Sequence, residues 1–274
     1  MSAVRPAQPD ELPRLKALWQ RVFGDEAAFV ELFYKRLLPC STALAAERDG
    51  EAAGAAYIVK GFALVLPDGA ALPCDYIYAV AVDEAARGLG LGKALSLEAA
   101  RLCERGKRLS CLVPASESLF DFYARCAGYV PAFTVCEGEA PAEGACEASP
   151  LSPAEYLRAR EEALEGRGHL RLSPEVMDFC EAALRMEGGG FFRLTLPDGA
   201  SALAAAEKTE EALLLKELLC PPGQEAAFAA AFAARMGLPL ARWRCPSGGM
   251  GAERPFGMLS EDAGSGFYFG PAFD

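Results

Sequence analysis

Hydrophobic positions near the start of the chain recur at spacings of three and four. Leu12, Leu15, Leu18, Trp19 and Val22 share one side of a 3.6-residue period, which predicts an amphipathic helix over residues 10–23. Asp10 stands at the expected N-cap, and Gly24 stands where the helix should stop. A second helix is expected from about Asp25 to Leu37. The period then shortens. Residues 42–48, 52–60, 62–66 and 72–82 are β-rich runs, and Asp49-Gly50 and Asp68-Gly69 are hairpin turn signals between them. Two helices therefore lead into an antiparallel meander of about four strands. After Val82 a glycine-rich loop, 87–92, opens a helix over about 91–105. A strand at 109–114, a helix at 116–126 and a strand at 128–136 close the unit. Strand 72–82, the helix and strand 109–114 form a βαβ unit, so those two strands should be parallel. The expected class is α+β, a mixed α/β chain whose sheet is mostly antiparallel.

Residues 137–153 are rich in Glu, Ala, Gly and Pro and read as a linker. The expected organisation is a domain over 1–137, a linker over 138–153 and a second domain over 154–274. Helices are expected at 154–164 and 174–186, strands at 191–196, 201–208 and 212–220, a helix at 224–236 and a strand at 240–245. The tail, 254–274, holds aromatic, strand-like pieces. This order repeats that of the first half: two helices, a meander, a crossover helix, a strand. Leu-Pro-Asp-Gly-Ala stands at the same place in both, at 66–70 and 196–200.

Composition and charge narrow the function. The 274 residues are 52% hydrophobic, enough for a substantial core, and no apolar run approaches the ~18 residues that span a bilayer. The first residues lack the apolar stretch of a signal peptide, so a cytoplasmic protein is expected. The formal net charge is −11, with −4 over residues 1–145 and −7 beyond. Neither half offers the basic field that nucleic acid requires, so no nucleic acid or membrane partner is expected. Ten cysteines are scattered without a CxxC pair and read as small buried hydrophobes. The single histidine, His169, is a poor basis for a metal site, and no metal is expected. Oligomeric state is not legible.

The informative segment runs from Tyr76 through Val80, Ala81 and Val82 into Arg87-Gly88-Leu89-Gly90-Leu91-Gly92-Lys93. A strand enters a loop, and the loop opens a helix. Glycines let successive backbone N–H groups converge, and with the helix N-terminus they suit a pyrophosphate. Arg87 and Lys93 add positive charge. A plain flexible turn is the alternative. A Rossmann loop should precede an acidic ribose ligand about 20 residues on, and a P-loop needs Gly-Lys-Ser/Thr; neither pattern is present.

This segment resembles the GCN5-related N-acetyltransferase (GNAT) superfamily, whose signature after a strand is Arg/Gln-x-x-Gly-x-Gly/Ala. Arg87-Gly-Leu-Gly90-Leu-Gly92 matches it in full. Residues 120–129 resemble the family's Phe-Tyr-x-x-x-Gly-Phe/Tyr segment, with four residues rather than three between Tyr123 and Gly128. The resemblance covers 1–136. It implies a GNAT fold with a splayed parallel strand pair. It also implies acetyl-CoA as the acetyl donor to a primary amine of a small, cationic acceptor. Backbone around Val80, Ala81 and Val82 would hold the pantetheine and thioester. N–H groups of Gly88, Leu89, Gly90, Leu91, Gly92 and Lys93, beside Arg87, would hold the pyrophosphate, and Ser116 falls within the same cofactor set. Tyr123 stands at the position of the acid that protonates the CoA thiolate; the other reading is a core aromatic. Asp75 is a candidate base, or else a strand-end charge. A protein acetyltransferase and a non-catalytic acyl-CoA-binding module remain as alternatives.

The second half lacks the phosphate loop. It reads Cys220-Pro-Pro-Gly-Gln-Glu225 instead, so two N–H donors are lost and a carboxylate is added. It is expected to be a degenerate GNAT-like domain that binds no CoA. The layout is similar to Eis-type acetyltransferases, and that resemblance extends a catalytic role to the carboxylate of Asp274. Packing of the tail as an edge strand is the alternative.

Overall fold

The structure is a computed structural model and describes residues 4–273. The chain forms two compact units. One comprises residues through Leu64, Ala71–Pro131 and Gly257–Ala263. The other comprises Val65–Ala70, Ala132–Phe256 and residues from Gly264 on.

In the first unit, β1 (Val4–Pro6) precedes α1 (Leu12–Phe23) and α2 (Ala27–Arg36). Helix α1 buries Leu15, Leu18 and Trp19 on one side, and Gly24 ends it at φ 78°. The four expected runs merge into three strands: β2 (Ser41–Arg48), β3 (Glu51–Val65) and β4 (Ala71–Val82). Gly61 at φ 98° carries β3 through what reads as a break. Next come α3 (Leu91–Arg105), β5 (Leu109–Leu112) and α4 (Glu117–Ala127). Strands β4 and β5 are parallel, as the crossover helix requires. Leu91, Leu95 and Ala99 of α3 pack with Ile58, Ile77, Tyr123 and Tyr129 into one buried cluster. Each leucine so buried contributes about 1.5–3 kcal/mol.

The second unit holds β6 (Val130–Pro141) from Ala132 on, β7 (Glu147–Pro150), α5 (Pro153–Ala163), β8 (His169–Leu172) and α6 (Pro174–Met186). A meander of β9 (Gly190–Thr195), β10 (Ser201–Lys208) and β11 (Leu213–Leu219) follows, then α7 (Glu225–Met236), β12 (Leu240–Pro246) and β13 (Ala252–Leu259), which leaves this unit after Phe256. Its strand order is β6-β12-β11-β10-β9-β7, with β11 and β12 parallel and the other pairs antiparallel. The element order of the first unit is thus repeated. Arg160 and Glu217 form a fully buried ion pair at its centre, with Nε–Oε1 3.1 Å, and Tyr156 Oη donates to Glu217 at 2.8 Å.

Three expectations are corrected. The segment 128–136 does not close the first unit, because β6 pairs with β12, with Cys136 opposite Cys245 and Gly138 opposite Trp243. The far side of β5 is taken instead by the end of β13, with Met258 opposite Leu112 and Leu259 opposite Cys111. Residues 138–153, expected as a linker, are mostly strand and helix start. The chain divides after Pro131 rather than after residue 137.

Candidate active site

Strand β4 positions the site. Side chains alternate along it, so Asp75 and Ile77 face α3 while Tyr76 and Tyr78 face the helices α1 and α2. Its parallel register with β5 ends at Tyr76 opposite Cys111. Ala79 follows with φ 48°, a left-handed conformation that costs a non-glycine residue about 1–2 kcal/mol. Beyond this kink Val80, Ala81 and Val82 have no partner on β5, which itself ends at Leu112. The two strands therefore splay, and backbone groups of Val80–Val82 line the gap. The kink was not legible in the sequence, since alanine gives no sign of it.

The loop after β4 begins with Asp83, whose Oδ1 accepts the Ala85 N–H at 3.1 Å. Gly88 and Gly90 lie at φ 79° and 80°, and Gly90 is the N-cap of α3. None of the N–H groups from Gly88 to Lys93 has an acceptor among the described residues. These six donors converge at a helix N-terminus, which attracts anions. Arg87 and Lys93 are exposed beside them and carry no ion pair among the described residues. A side chain at Gly92 would stand 3.7 Å from Val82 Cγ2 and 3.6 Å from Phe122 Cζ, so the first turn of α3 lies close to the end of β4 and to α4. The residues present fit a pyrophosphate.

Tyr123 sits on α4 and is 8% exposed. Burial, and then the neighbouring Cys126, push its phenol up to about 12. Its hydroxyl has no hydrogen-bond partner among the described residues. Gly128, five residues past Tyr123, ends α4 at φ 75°, and its N–H donates to Ala124 O. Ser116 is the exposed N-cap of α4, its Oγ 3.1 Å from that of Ser118. Asp75 does not reach the splay. Its carboxylate is buried on the α3 face, with Oδ1 2.8 Å from Arg108 Nε. Arg108 also donates to the Cys74 carbonyl at 2.9 Å. This pair ties β4 to the start of β5, and a carboxylate so engaged is not a free base. Arg108 went unnoticed in the sequence because its partner lies 33 positions away.

Asp274 lies outside the described residues. The residues before it pack in the second unit: Phe267 N–H donates to Ala132 O at 3.0 Å, Tyr268 N–H to Gly168 O at 2.9 Å, and Phe273 meets the ring of Phe179. The segment that belongs to the first unit is Gly257–Ala263. Among the described residues no group of three or more His, Cys, Asp or Glu is placed to hold a metal ion. No described helix is long and apolar enough to cross a membrane.

Residues 3–131 match the family model of the acetyltransferase (GNAT) domain. The chain carries a GNAT domain. No curated protein matches the sequence. Among solved structures, the chain is similar in fold to a GCN5-related N-acetyltransferase from Anabaena variabilis ATCC 29413, at 18% identity over 94% of this chain and 72% of that one, with TM-score 0.68. It is also similar to Eis1 from Mycobacterium abscessus, at 17% identity over 94% and 73%, TM-score 0.64. A tandem GNAT protein from the clavulanic acid biosynthesis pathway matches at 16% identity over 97% and 100%, TM-score 0.55. These likenesses are of fold, and they extend over both units. The second unit repeats the element order of the first, with Cys220–Glu225 where the first has its glycine loop.

Proposed function

We propose that this protein transfers an acetyl group from acetyl-CoA to a primary amine of a small, cationic acceptor by direct attack. The observation that carries the reading is the row of six N–H groups, Gly88 to Lys93, left without acceptors at the end of a splayed strand pair. Such a row suits the pyrophosphate of CoA, and backbone of Val80–Val82 suits the pantetheine chain beside it. Acetyl-CoA supplies the thioester. The amine nitrogen attacks its carbonyl carbon while an N–H near Val82 stabilises the developing oxyanion. The carbon–sulfur bond then breaks, and Tyr123 gives its proton to the departing thiolate. Water takes the proton that the amine sheds. The acidic balance of both halves supports a cationic small-molecule acceptor over nucleic acid.

Leu89 tests the donor site without disturbing the fold, since its side chain is 54% exposed in the middle of the loop. Leu89→Glu should weaken acetyl-CoA binding by about ten-fold or more in isothermal titration, with an unchanged melting temperature. Unaltered affinity in the folded variant would place the donor site elsewhere. Release of free thiol from acetyl-CoA in the presence of an amine panel separates transfer from binding alone.

A further inference from the structure

The second unit contains a cavity of about 410 Å³ at the carboxyl ends of β11 and β12 and the N-terminus of α7. It occupies the place in that unit that the glycine loop occupies in the first. Between Pro221 and Gln224 the loop has no donor to give, and the N–H groups that remain open begin with that of Glu225 itself, at the start of α7. Pro221 and Pro222 lack an N–H, Gly223 N–H is bonded to Glu225 Oε2 at 2.9 Å, and Gln224 N–H goes to Pro221 O at 3.2 Å. The cavity wall carries a carboxylate instead. Glu225 is 3% exposed, and its second oxygen, Oε1, has no hydrogen bond or ion pair among the described residues. Gly249 leaves the room beside it, since a side chain there would stand 2.7 Å from Oε1 and 2.6 Å from Cys245 Sγ. Cys220 and Cys245 border the same space. Burial, and then the charge of Glu225, push both thiols up to about 12, so they stay neutral; the one cationic side chain on the wall, Arg167, is exposed and donates to Ser247 O at 2.8 Å. The α7 N-terminus and the Gly223 N–H offset the charge on Oε2. Oε1 still faces a cavity walled by Leu218, Leu219 and Pro246.

We propose that this cavity binds a small primary ammonium compound, with the ammonium on Glu225 Oε1 and the apolar body against Leu218, Leu219 and Pro246. The degenerate copy would then have exchanged an anion site for a cation site at the same point of the fold. Its occupancy can be read independently of acetyl transfer, because Cys220 lines the cavity and is only half-buried.

The experiment follows iodoacetamide alkylation of Cys220 in the full chain by peptide mass spectrometry over hours at about pH 9 and fixed ionic strength, where the thiolate that reacts is more abundant than at neutral pH and an alkylamine is still an ammonium. The probe is n-butylamine, which is an ammonium at neutral pH, and 1-butanol is its uncharged counterpart. Cys40, also half-buried and in the first unit, is the internal control. Butylammonium should slow alkylation of Cys220 saturably and leave Cys40 unchanged. Glu225→Gln should raise the concentration for half-protection by at least ~10-fold. Equal protection by 1-butanol, no protection by butylammonium, or an unshifted Glu225→Gln response would overturn the proposal. So would selective protection of Cys220 by acetyl-CoA. If Glu225→Gln does not fold, the comparison of amine with alcohol on the unaltered chain decides.

Discussion

Tyr123 keeps its proton well above neutral pH because burial disfavours the phenolate. A phenol raised to about 12 remains a donor throughout the range in which an enzyme is assayed. The pH dependence of kcat/KM should therefore follow the acceptor. It should rise as the free amine forms, level off near the amine's own pKa of about 10.4, and show no falling limb from Tyr123 below about pH 11. A falling limb near pH 8–9 that vanishes in Tyr123→Phe would contradict the raised phenol. Tyr123→Phe itself should lower kcat by roughly 10²–10⁴-fold while acetyl-CoA affinity holds. Wild-type turnover under conditions where chemistry limits the rate would remove Tyr123 from the mechanism. Asp75 behaves differently, because its buried carboxylate is engaged by the half-buried Arg108 rather than open to a substrate. Asp75→Asn should cost about 2 kcal/mol in denaturant unfolding and leave the shape of the pH profile unaltered. A profile that loses its rising limb would return Asp75 to the role of base.

Elements with a strong period or an obligatory glycine were legible. The spacing of Leu15, Leu18 and Trp19 marks α1, and the positive φ values at Gly88 and Gly90 are what the glycine loop required. Elsewhere tertiary pairing overrode local composition. Gly138 reads as a linker glycine, yet it stands opposite Trp243, and a side chain there would come within 2.3 Å of the indole. Glu137 and Glu139 read as solvated charge, yet they pair across the strand with Arg244 and Arg242 at 3.1 and 3.2 Å. The hydrogen bond from Arg254, with Arg244 beside it, holds Glu137 below the usual carboxylate range against the opposing effect of burial. The charges that made the segment look unstructured are those that join β6 to β12. The kink at Ala79 and the buried Asp75–Arg108 pair had no local signature at all, and each depends on strands distant in sequence. At the candidate site, then, the glycine loop and the start of α3 could be read from the chain, whereas the geometry of the splay could not.

Each unit is completed by a strand from the other half of the chain. Strand β6, made directly after α4, runs beside β12, and the end of β13 runs beside β5. A fragment ending at residue 137 would keep the whole phosphate loop but leave β5 with an open edge. It should be aggregated, or folded without measurable acetyl-CoA binding, whereas the intact chain should unfold in one calorimetric transition. A soluble 1–137 fragment with full affinity would show the exchange to be dispensable. The same threading imposes an order in time. As the chain leaves the ribosome, Leu112 emerges roughly 150 residues before Met258, a wait on the order of ten seconds at ~5–20 residues per second. Through that interval the nascent first unit carries an unpaired strand beside its binding loop. The unit that synthesis begins first is thus completed only near the end of the chain, at Gly257–Ala263.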